Sequence, residues 1–130
     1  MLIRPRVCAA IIKENRVLMV LQENENRSFW TLPGGGVEEG ETLEAAVLRE
    51  VKEEVNVDGK VERLLFEDTY TYGPDYCFLV TVDHDQKAEL GYDPELPLND
   101  QVLKGISWFA LTDKKDDIQV KLLIESLLVD

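Results

Sequence analysis

The sequence predicts an α/β fold in which two helices pack around a mixed sheet. Three observations carry that prediction. Leu43 to Glu54 is filled with Ala, Leu, Glu, Arg and Lys, with Val47, Leu48 and Val51 on one arc that Val55 continues. Such residues favour a helix, and such an arc gives it a core-facing stripe. Near the end of the chain, Val120, Leu123, Ile124 and Leu127 recur at i, i+3, i+4 and i+7. Before and between these stretches lie short apolar or alternating runs bounded by turn residues, which read as strands. Helices and strands mixed in this way along one chain pack as layers.

In chain order, Val7 to Ile12 reads as a buried strand. It ends at Lys13 and is too short for a signal-peptide core or a membrane span. Lys13-Glu14-Asn15-Arg16 reads as a turn, and Val17 to Leu21 as the second strand of a hairpin. Gln22 to Ser28 reads as a polar loop, and Phe29 to Leu32 as a short extended piece. Thr42 suits the N-cap of the first helix, Glu44 suits its dipole, and Asn56 suits a left-handed end. Asp58-Gly59 marks a turn before a strand from Val61 to Thr71, with Leu65 and Phe66 facing the core. A turn at Tyr72-Gly73-Pro74-Asp75 leads to an antiparallel partner, Tyr76 to Val82. Gln86 to Gln101 is polar and irregular, Ile106 to Leu111 is a last strand, and Asp116 or Asp117 starts the final helix. No repeat or linker interrupts the order, so residues 1–130 read as a single domain.

Composition narrows the function classes. The chain has 130 residues, and its 45% hydrophobic content is enough for a core. A net charge of −12 argues against a nucleic-acid or anionic-membrane partner. Cys8 and Cys77 form no CxxC pair and read as reduced thiols in a cytoplasmic protein. His84, between Asp83 and Asp85, reads as a loop residue without a companion ligand.

The chemistry is concentrated between Leu32 and Val57. Pro33 is followed by three glycines, and the helix behind them carries Glu50, Glu53 and Glu54 within one turn or so. Acidic residues on a helix are ordinarily a solvated face. Three carboxylates about 6 Å apart, however, repel by about 3 kcal/mol per pair at an effective dielectric of about 20. Partly buried, they call for a positive partner. Mg²⁺ takes oxygen ligands and keeps waters that phosphates can replace. Arg49 can clamp a carboxylate with two parallel bonds.

The spacing is more specific than the charge. Gly35, five residues, Glu41, seven residues, then Arg49-Glu50-Val51-Lys52-Glu53-Glu54-Val55-Asn56-Val57 resembles the Nudix box, with Asn56 where the family carries Gly. The match covers 23 of the 130 residues, and Leu32-Pro33-Gly34 and Trp108-Phe109 add to the likeness. The resemblance implies an α/β/α sandwich whose box forms a catalytic loop-helix-loop. It implies a divalent-metal-dependent pyrophosphohydrolase that cleaves a nucleoside diphosphate linked to another moiety, such as a nucleoside triphosphate or ADP-ribose. Mg²⁺ is the expected cofactor, with Mn²⁺ as a substitute.

Roles follow from the same resemblance. Glu50 and Glu54 are the main metal ligands, Glu53 a further ligand or the base that activates water, and Gly35 a carbonyl ligand. Arg49 orients the carboxylates and pairs with Glu41. Glu95 is a candidate for a base outside the box. Outside the box, Arg4 and Arg6 could meet a phosphate, and Tyr70, Tyr72 or Tyr76 could stack on a base. Pro74 lies near, but not at, the position where ADP-ribose hydrolases carry a proline. Tyr72 and Tyr76 bracket the place where dinucleoside polyphosphate hydrolases carry a tyrosine. The acidic balance argues against RNA decapping. A non-catalytic nucleotide-sensing domain is the alternative from another class, although such a domain would be expected to lose box glutamates. A homodimer stays open.

Overall fold

The computed structural model describes residues 3–24, 26–91 and 102–128. Its strands form two four-stranded sheets. The first has the order β5 (Gly34–Gly36), β1 (Arg6–Ala10), β7 (Gly73–Val82), β6 (Gly59–Tyr70). It is mixed: β1 runs parallel to β7, while β1 with β5 and β6 with β7 are antiparallel. In the second sheet β3 (Arg16–Asn24) pairs with β2 (Ile12–Lys13), β4 (Arg27–Thr31) and β8 (Leu103–Ala110). Helix α1 spans Leu43–Val55 and helix α2 spans Ile118–Leu127.

The alternation of β1 explains the layering. Successive strand residues point to opposite faces. Val7, Ala9 and Ile11 join Val47, Val51 and Val55 of α1 in one core cluster. Cys8 and Ala10 join Val120 and Leu123 of α2 in another. The first sheet is therefore covered on both faces, which is why Val7 to Ile11 reads as an unbroken apolar run. The expected α/β/α sandwich is present, but readings of the N-terminal half need correction. The hairpin uses only Ile12–Lys13 against β3, turning through Glu14 and Asn15 with φ of 51° and 63°. The rest of the first run leaves for the other sheet. The polar stretch from Gln22 is strand, because β4 and β8 both bond β3 at Gln22.

The helix ends follow local chemistry. Thr42 Oγ1 accepts from the Ala45 N–H at 3.1 Å. Asn56 takes φ 57° and ψ 39°, the left-handed conformation expected of it. Asp117 caps α2 by accepting from the Val120 N–H at 3.1 Å. The glycine stretch, expected as a loop, is a short strand in register with β1: Gly34 lies opposite Cys8, Gly35 opposite Val7 and Gly36 opposite Arg6. Cys8 and Cys77 are register partners on β1 and β7, both buried and both free thiols.

Candidate active site

The site forms where β5 passes beneath the second half of α1. Pairing with β1 fixes Gly34 to Gly36 in the sheet, and the valine stripe of α1 seats the helix on the same layer. Glu54 points inward. Its residue exposure is 8%, and its carboxylate accepts the Gly34 N–H at 3.3 Å. Burial, then a hydrogen bond and the charge of neighbouring Glu50, push its pKa up to about 9. Glu50 lies hard against the glycine strand. A Cβ on Gly35 would sit 2.5 Å from Glu50 Oε1, so a side chain there would push that carboxylate from its place.

Arg49 is the hub on the outer side. Its Nε donates to Glu41 Oε2 at 2.6 Å and its Nη2 to Glu41 Oε1 at 2.9 Å, a two-pronged pair. Nη2 also donates to the Gly36 carbonyl at 3.0 Å. Nη1 donates to Glu50 at 2.9 Å and to Glu53 Oε2 at 3.3 Å. One guanidinium thereby ties the strand, the loop and the helix together. Its hydrogen bonds to Glu41 lead in pushing the Arg49 pKa further up. Arg49 in turn, with the Glu38 N–H, holds the Glu41 carboxyl down at about 2. Glu53 differs from its neighbours: 58% of its side chain is exposed, and its bond is to Arg49.

The carboxylates therefore do not form a symmetric trio. Among the described residues no three acidic, histidine or cysteine side chains converge on one point. The Glu50–Glu54 pair nevertheless fits a hard divalent cation. It presents oxygen donors only, and its like charges are reconciled inside the protein by a retained proton. A cation would replace that proton.

The four residues marked in the sequence for substrate binding gather at one end of the first sheet, next to this strand. Arg4 lies over Gly36. Arg6 is opposite Gly36 in the ladder, 5.6 Å from the Tyr70 ring centroid and 4.0 Å from the Asp75 carboxylate. The Tyr70 hydroxyl donates to the Arg4 carbonyl, and Tyr70 and Tyr72 meet edge to face at 6.1 Å. Tyr76 instead packs against the α1-side core. Glu95 lies outside the described residues.

Two residues here escaped the sequence reading. Asp75 stands opposite both Arg6 and Asp68, with one carboxylate oxygen, Oδ1, buried and without a partner among the described residues. Burial is the first cause of its raised pKa. It falls within a stretch read as a turn, and only the extension of β7 to Gly73 carries it into the sheet. Gln119 of α2 accepts from Thr31 Oγ1 at 2.9 Å and from the Leu32 N–H at 3.1 Å, which pins the entry to the glycine strand. No spacing in the sequence connects those positions, which lie 88 and 87 residues apart.

Comparison with known proteins places this arrangement. The profile of the NUDIX domain matches residues 2–123. An ADP-ribose pyrophosphatase from Methanocaldococcus jannaschii is 46% identical over 56 residues, 42% of this chain and 33% of that protein. A dihydroneopterin triphosphate diphosphatase from Escherichia coli K12 is 51% identical over 53 residues, 41% of this chain and 35% of that protein. The chain thus spans about a third of the length of these curated relatives. A solved NUDIX-family hydrolase from Clostridium perfringens superposes with a TM-score of 0.74 at 16% identity, covering 99% of this chain and 100% of that one. A MutT NUDIX hydrolase from Burkholderia pseudomallei gives 0.71 at 22% identity, covering 98% and 99%. These structures share the fold, and the domain match extends over nearly the whole sequence, so the chain belongs to the Nudix family.

Proposed function

We propose that this chain hydrolyses a diphosphate linkage in a nucleoside diphosphate joined to another moiety. The observation that carries the reading is the buried Glu54 carboxyl, held by the Gly34 N–H, beside a Glu50 carboxylate that occupies the space a Gly35 side chain would take. Glu50 and Glu54, with the Gly35 carbonyl, would hold Mg²⁺ or Mn²⁺. Bound there, such an ion would offset the negative charge of the diphosphate oxygens during attack by water. Arg49 keeps Glu50 and Glu53 in place while anchored to Glu41 and the Gly36 carbonyl. Glu53 is the exposed carboxylate of the set, which favours it as the base that takes a proton from the attacking water. Arg4 and Arg6, gathered beside the glycine strand, would meet phosphate, and Tyr70 or Tyr72 would stack on a base. The names of the similar proteins support both a nucleoside-triphosphate-like and an ADP-ribose-like substrate. The reading is of a cytoplasmic, single-domain enzyme.

The test is a screen of nucleoside triphosphates, ADP-ribose, sugar nucleotides and dinucleoside polyphosphates with Mg²⁺ or Mn²⁺ and with chelator, identifying the products. Active wild type should lose turnover in chelator. Glu50→Gln, Glu53→Gln and Glu54→Gln should each lose activity, with added Mn²⁺ restoring part of it in the Glu50 and Glu54 variants. Glu44, exposed in the first turn of α1, is the control, and Glu44→Gln should be silent. Turnover in metal-free protein, or a Glu44 variant as damaged as the rest, would overturn the assignment.

A further inference from the structure

Beyond the residues of the box, the segment after β7 closes on the end of α1 that carries Glu53 and Glu54. The last carbonyls of a helix have no partner within it. Here two of them are met by this segment: the Glu89 N–H donates to the Val55 carbonyl at 2.9 Å and the Gly91 N–H to the Glu54 carbonyl at 2.7 Å. Gln86 braces the next residues in both directions. Its Oε1 accepts the Asp58 N–H at 2.8 Å and its Nε2 donates to the Asp58 carbonyl at 2.9 Å. Ala88, between these contacts, packs against the α1-side core.

Gly91 makes the closest approach. A Cβ there would come 2.9 Å from Glu54 Cα and 2.8 Å from the Glu53 carbonyl carbon, against backbone that cannot swing aside. φ at Gly91 is not in the left-handed region, so contact and not conformation demands glycine. The helix has little slack at this point. Glu54 reaches the Gly34 N–H at 3.3 Å, near the long limit for such a bond, and a small movement of the last turn would part them.

We propose that the Gln86–Gly91 segment is a positioning strap for the reaction, with Gly91 and Gln86 as positioning residues that hold the last turn of α1 in register with the glycine strand. The role rests on the hydrolase reading, because the carboxylates it sets are those of the proposed site. Any side chain at Gly91 wedges the strap from the helix and moves Glu53 and Glu54 together. Substrate affinity drawn from Arg4, Arg6 and Tyr70 is spared, because those residues stand on β1, β6 and the segment before β1.

The experiment compares wild type, Gly91→Ala and Gln86→Ala, with Val120→Ala in the α2-side core as a destabilised control. It measures kcat and KM well below the thermal midpoint and Mn²⁺ binding by the electron paramagnetic resonance of the free ion. Gly91→Ala should lower kcat by about tenfold to a hundredfold, as misplaced groups do. KM should stay within about threefold, and Mn²⁺ should bind at least about tenfold more weakly. Gln86→Ala, which crowds nothing, should shift the same quantities less. Val120→Ala should lower the thermal midpoint and leave all three unchanged. If Gly91→Ala does not fold, Gln86→Ala decides: lowered kcat with weaker Mn²⁺ binding supports the strap, and wild-type values overturn it. Wild-type kcat and Mn²⁺ binding in Gly91→Ala also overturn it. A wild type that turns over no substrate refutes the hydrolase reading, and Mn²⁺ binding by the variants then still tests the strap.

Discussion

Replacing Glu54 with Gln should stabilise the metal-free protein increasingly as pH rises above about 4.5. In the fold this carboxyl keeps its proton up to about pH 9, chiefly through burial and then through Glu50, against an ordinary value of 4.5. Below 4.5 both the folded and the unfolded chain carry the proton, and the raised pKa costs nothing. Above it the unfolded chain releases the proton while the folded one retains it. Stability therefore falls by about 1.4 kcal/mol per pH unit until the folded group also ionises. At pH 7 the accumulated loss is about 3 kcal/mol. Gln has the same shape, no proton to lose, and an oxygen that can still accept from Gly34. The variant should then exceed wild type at pH 7 by about 3 kcal/mol, or about 10 °C in midpoint for a chain of this size. The two should converge towards pH 4.5. Urea unfolding in chelator between about pH 5 and 8 measures this, and the difference between the curves cancels the other carboxylates. Saturating Mg²⁺ or Mn²⁺ should narrow or reverse the order, because an ion that binds folded wild type more tightly than the folded variant stabilises wild type more by mass action. Parallel curves for wild type and variant in chelator would refute the burial argument.

Two further outcomes follow from the same geometry. Gly35→Val drives a side chain into the Glu50 carboxylate, whose Oε1 would lie 2.5 Å from the new Cβ. The variant should stay soluble and lose at least about a hundredfold in rate by product release, as a misplaced catalytic group does; wild-type rates would show the glycine strand to be a mere connector. Glu41→Gln removes a carboxyl held down at about 2 by Arg49 and the Glu38 N–H. That stabilisation is present above 4.5 and lost as pH falls through about 2, so thermal melts of the variant should show a shallower acid limb than wild type.

Much of this molecule was legible in the sequence where chemistry is local. Helix α1 ends at the cap residues its sequence marks, because Thr42 and Asn56 satisfy groups within a few residues of themselves. The Arg49–Glu41 pair follows from a fixed loop and two turns of helix, and the spacing that suggests it is the same spacing that marks the family. The two-sided sheet is visible as an apolar run without alternation.

Tertiary structure alone decided three matters. It split the first apolar run between two sheets, since a strand's partners lie far along the chain and the run itself cannot express them. It separated three glutamates that helical periodicity makes neighbours. Packing against β5 buries Glu54 and leaves Glu53 exposed, because a helix turns its residues through different depths once one face is seated. It also joined Arg6 to Tyr70 and Asp75, and Gly91 to the end of α1, contacts that depend on strand register and on a close approach. Composition and spacing determined which charges this protein carries and which family it belongs to. The packing of distant segments determined which of those charges lost their water, and so which carboxyl holds a proton.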